Sequence, residues 1–88
     1  MKTFEKDPDA VLDYTIKWAK YLNTDTIATS AWVLDGGITK DSDTNDTNSA
    51  TIWLSSGTVG NSYTVTNRIT TAAGRTDDRS ILIKVVEK

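Results

Sequence analysis

The stretch Ser62-Tyr63-Thr64-Val65-Thr66-Asn67-Arg68-Ile69-Thr70-Thr71 alternates with a period of two. Tyr63, Val65 and Ile69 share one face with Asn67, and Thr64, Thr66 and Arg68 share the other, the pattern of a strand with one side on a core. Ala73-Gly74 follows as a turn, and Ser80 to Val86 reads as a second strand, so the two form a C-terminal hairpin. In that strand Ile81, Ile83 and Val85 face the core, with Leu82, Lys84 and Val86 outward.

Working outward, Thr26 to Leu34 ends at Asp35-Gly36-Gly37, and Ala50 to Leu54 ends at Ser55-Ser56-Gly57. Both are β-rich runs closed by turn residues, which predicts two more strands. Between them, residues 39–49 contain no apolar side chain and are rich in Asp, Asn and Ser, which predicts an exposed polar loop. The N-terminal third supports two readings. Asp7-Pro8-Asp9 resembles a helix start, with Val11, Tyr14, Trp18 and Tyr21 on one stripe. Leu12, Tyr14, Ile16 and Trp18 also alternate with Asp13, Thr15 and Lys17, and this strand reading is preferred because the rest of the chain is β. Residues 1–9 precede it as an N-terminal arm.

Composition agrees. Thr occurs fifteen times and Ser seven in 88 residues, while strong helix formers are few. A chain this short holds one domain, residues 1–88, with one thin core. The expectation is an all-β fold, a small antiparallel immunoglobulin-like β-sandwich with Trp32 as its central anchor.

Chemistry is narrowed by what the chain lacks. Without Cys there are no disulfides, thiolate metal sites or Cys nucleophiles, and without His there are no imidazole ligands or His-based triads. Ten Lys and Arg against twelve Asp and Glu give a net charge of −2, so no overall field draws in nucleic acid. No run approaches the length of a membrane span, and the charged start Met1 to Pro8 does not read as a secretory signal. The tripeptide Asn45-Asp46-Thr47 matches a glycosylation sequon, which has no meaning without export.

The candidate constellations are modest. Asp41, Asp43 and Asn45 have the first spacings of a calcium loop, but Asp46 stands where Gly is needed and Ile52 where Glu should close the site. Asp77-Asp78, between Arg75 and Arg79, reads as a solvated, charge-alternating stretch with no cleft for acid–base work. Gly57-Thr58-Val59-Gly60 and Gly36-Gly37 lack the Lys or helix of a phosphate loop. Neither a metal, a cofactor nor a catalytic residue is expected. For partner binding, Arg68, Arg75 and Arg79 could make a small basic patch on the hairpin, against the plainer reading of ordinary surface charge. Trp53 is the other candidate, because Ile52 and Leu54 take the core side of its strand, against the equal reading in which a loop covers it.

Three segments together, Lys6 to Trp18, Asp25 to Trp32 and Gly60 to Thr71, carry a resemblance over nearly the whole chain. The sequence resembles a family of small immunoglobulin-like, fibre-like structural proteins of tailed bacteriophages and prophages. It departs at Lys17, where an acidic residue is expected before the Trp. The resemblance implies a non-enzymatic virion component at head, neck or tail, folded in the host cytoplasm. It implies multiple, symmetric copies bound to other virion proteins, and the chain's charge and hydropathy add the expectation of no nucleic acid or membrane partner. The alternative is a carbohydrate- or host-surface-binding module of a phage fibre, using an exposed Trp and the Asx-rich loop.

Overall fold

The computed structural model describes residues 2–87. In chain order it has β1 (Lys2–Lys6), β2 (Leu12–Lys17), the single-turn helix α1 (Ala19–Leu22), β3 (Ile27–Leu34), β4 (Ile38–Asn45), β5 (Ser49–Ser56), β6 (Ser62–Thr71) and β7 (Thr76–Val85). They form two sheets, ordered β1-β7-β6-β3 and β2-β5-β4, packed as a β-sandwich. Every pair is antiparallel except β1, which runs parallel to β7. The hairpins are β4–β5 and β6–β7, and the other connections pass between sheets.

β6 spans the residues whose alternation predicted it. Tyr63, Val65, Asn67, Ile69 and Thr71 are buried, and its partner β7 buries Ile81, Ile83 and Val85. From the other sheet, Tyr14, Ile16, Ala50, Ile52 and Leu54 face them, so period-two patterning on both sheets makes the core. The strand reading of the N-terminal third holds over Leu12–Lys17, and one helical turn follows it. That turn carries Leu22 into the core and places Trp18, at its N-cap, fully inside.

Three expectations are corrected. Trp32 is only partly buried at the margin of the core, with its indole N–H unpaired, and the central indole is Trp18. Alternation put Trp18 on the right face, but a central strand position favoured Trp32. Residues 39–48 are exposed and Ser49 is half-buried, yet most of this stretch belongs to β4 and β5. β4 is a border strand: its backbone pairs with β5, so it needs no apolar face beyond Ile38, and polar side chains on both faces guard an open edge. Asp46 organises the turn, its Oδ1 accepting the N–H groups of Asn48 (2.9 Å) and Ser49 (2.8 Å). Residues 1–9 are also more than an arm. β1 pairs along β7, and the Phe4 ring lies 5.1 Å from that of Tyr14 in the opposite sheet.

Two glycines hold the end of the sandwich opposite α1. Gly57 has φ +101, and a Cβ there would lie 2.6 Å from Val85 Cγ2. At Gly37 (φ +105) a Cβ would meet the Tyr63 ring at 2.9 Å. The Tyr63 hydroxyl, at the start of β6, accepts the N–H of Thr58 (2.9 Å), which pins the crossing from β5 to β6.

Candidate functional site

The residues singled out from the sequence fall in separate places. At the α1 end, Trp18 Nε1–H donates to Asn67 Oδ1 (2.9 Å). The Asn67 amide donates in turn to Ser30 Oγ (2.9 Å) and Ala31 O (3.0 Å), so a buried polar side chain is satisfied on each side. Tyr21 meets the indole edge-on at 5.4 Å. The Arg79 guanidinium lies 4.5 Å over the Trp18 ring and donates to Lys17 O (3.0 Å).

Arg75 lies 4.8 Å over Tyr21, pairs with Asp25 (3.1 Å) and donates to Leu22 O (3.4 Å). The carboxyl of Asp25 is held down to about 2, first by the Thr71 hydroxyl, and also by the Thr26 N–H and Arg75. Arg75 and Arg79 thus share the Tyr21 ring and clamp this end. Arg68 lies on the outer face of its sheet, joined to Asp78 by two hydrogen bonds of 2.8 and 2.9 Å. These bonds lower the Asp78 pKa and raise that of Arg68. The three arginines therefore do not form one patch, because strand parity, invisible in a list of charges, sends Arg68 to the other face.

Trp53 stands on the outer face of the three-stranded sheet and is 41% exposed. In register, Asp13 and Ser42 flank it. Around it the hydroxyls of Thr15 and Thr51 share a hydrogen bond (2.8 Å), and Ser55 Oγ donates to Asp41 (2.7 Å). An indole plate set among hydroxyls and carboxylates can stack on an apolar side chain or a sugar face. The calcium-like triplet is not gathered: Asp41 takes Ser55, Asp43 pairs with Lys40 (3.0 Å), and Asn45 donates to Asp46 O (3.1 Å). Asp77 accepts the N–H of Asp78 (2.8 Å).

Sequence reasoning passed over the other end. There Lys6 is fully buried, donating from Nζ to Asp7 O (2.9 Å) and Ser56 O (2.8 Å). Burial lowers its pKa against the pull of Asp7, Asp9 and Asp41. Val11, Leu12 and Val59 lie exposed at the same end. The signal for Val59 was available, an apolar residue in a glycine-bounded turn where nothing could cover it.

Among the described residues no helix is long and apolar enough to cross a membrane. No curated protein matches the chain. A family model does, described as podophage GP4 fiber-tail adaptor protein gp77, over residues 6–84. That span runs from the buried Lys6 through both sheets to β7, and the chain belongs to this family of phage tail proteins.

Proposed function

We propose that the chain is a non-enzymatic component of a podophage tail that joins tail and fibre proteins by protein–protein contacts, in several copies set by the symmetry of the particle. The observation that carries this is the family match across residues 6–84. We also read the sandwich as immunoglobulin-like. The strand orders β2-β5-β4 and β7-β6-β3 correspond to the B-E-D and G-F-C orders of that architecture, and Tyr63 bonding back to Thr58 corresponds to its tyrosine corner. A domain of this kind acts through buried area, and many symmetric copies multiply weak contacts through effective concentration. Trp53, Arg68, Arg75 and Arg79 are candidate contacts, with Trp53 the most available because the arginines already hold internal partners.

A second reading, recognition of a sugar on the host surface, is favoured by the exposure of Trp53 among hydroxyl groups. Two measurements separate them: the copy number per purified particle, and fibre retention in particles assembled without the chain. A fixed copy number matching tail symmetry, with fibres lost when the chain is absent, supports the adaptor. Fibres retained in its absence, with Trp53-dependent binding of the isolated chain on a glycan array, would replace it with the second reading.

A further inference from the structure

The two sheets part along one side, where β1 and β2 are the border strands. Between them runs a groove of about 620 Å³. Phe4, Ile16 and Ile81 give it an apolar floor, while Lys2, Lys17 and Arg79 supply three cations. No Asp or Glu lines it among the described residues, so on a chain of net charge −2 the sign is locally reversed. Apolar area ringed by one sign of charge complements an occupant that is apolar and acidic.

The backbone beside the groove is open as well. Trp18 N–H donates to Asn48 O (2.8 Å) on the β5 side. Strand alternation then turns the N–H and C=O groups of Tyr14 and Ile16 toward β5, and those of Asp13, Thr15 and Lys17 toward the free edge. The bond from Arg79 to Lys17 O shows that this edge faces the groove. A cationic, apolar-floored groove beside an unpaired strand edge is what addition of a strand requires.

We infer that an extended segment of a partner protein, alternating apolar and acidic residues, docks here as an added strand on β2. Its backbone pairs with Thr15 and the Lys17 N–H, its inward apolar side chains cover Phe4, Ile16 and Ile81, and its outward carboxylates meet Lys17, while Lys2 and Arg79 add positive potential from the inner side. This rests on the adaptor reading and names the chemistry of the segment that the adaptor holds.

The test uses the isolated full chain, isotope-labelled, titrated with a capped (Val-Glu)4 peptide and with (Val-Lys)4 as control. Binding of the acidic peptide is expected to protect the Thr15 and Lys17 amides from hydrogen exchange and to shift signals of Phe4 and Ile81. The double variant Lys2→Glu/Lys17→Glu should weaken it by about tenfold or more at low salt. Thr15→Pro removes an edge N–H without touching the ladder to β5 and should abolish it. Circular dichroism identifies a misfolded variant, and the charge variant then decides. Absence of binding, equal binding of both peptides, or shifts confined to another surface overturns the inference. Phage particles distinguish the two levels. Fibres that attach normally in Lys2→Glu/Lys17→Glu particles defeat the groove alone, whereas fibres that attach with no chain present defeat the adaptor reading itself.

Discussion

At the α1 end, Trp18, Tyr21, Arg75 and Arg79 stack on one another and on the last turns of the chain, and Asn67 and Asp25 satisfy their polar edges. At the opposite end, one buried ammonium, Lys6, ties two crossings through carbonyl oxygens, and Val11, Leu12 and Val59 are left facing water. The first end uses its aromatic and cationic groups internally, and it stabilises the fold. The second is held by backbone geometry at Gly57 and by the Tyr63 hydroxyl, so its apolar side chains are available to a neighbour. A bare list of large and basic residues is thus a poor guide to the binding surface of a small sandwich, because several of them already hold internal partners. Its exposed apolar side chains and open strand edges are better ones.

The contrast can be broken most sharply at Trp18. Trp18→Ala empties the centre of the α1 end and leaves Asn67 Oδ1 without its donor, and should cost about 3–5 kcal/mol, read as a lowered urea midpoint. Gly57→Ala probes whether the other end is as yielding as its exposed residues suggest. A Cβ 2.6 Å from Val85 Cγ2 at φ +101 should cost about 1–3 kcal/mol, and an unchanged melting temperature would mean that this end is slack.

Acid should loosen the ends unequally. The pKa of Asp25 is lowered from 3.8 to about 2, so its contribution is complete above its ordinary pKa and is lost as pH falls from about 4 toward 2. Asp25→Asn should flatten the stability profile in that window, and amide exchange should show the α1 end opening first. The smallest effect belongs to Val59→Ser, within about 0.5 kcal/mol, because Val59 is 46% exposed and lies outside the hydrophobic core cluster. A larger loss in thermal melting would show that the open end is covered within the chain.

Much of the fold was legible where burial imposes alternation. β6 and the core side of β7 follow from period two alone, and the β2 face of Tyr14, Ile16 and Trp18 from period two together with the β-rich remainder of the chain. β4 and β1 were not, because a border strand is held by backbone bonds, and backbone bonds leave no mark on side-chain hydropathy. The buried Lys6 was hidden for a related reason, since its partners are carbonyl oxygens. The outward direction of Trp53 was readable, because Ile52 and Leu54 took the inner positions of β5, but its exposure was not, because a covering loop leaves no mark on the strand's own pattern. The separation of Arg68 from Arg75 and Arg79 needed the register Arg68↔Asp78, which only the paired strands supply.

A density map of the intact podophage tail tests the central claim most directly. The adaptor reading predicts this sandwich at the junction of tail and fibre, in copies related by the tail symmetry, with a neighbouring chain extended along β2 over Phe4 and Ile81. Density for the chain at the distal tip of a fibre or inside the head, touching no fibre base, would contradict it.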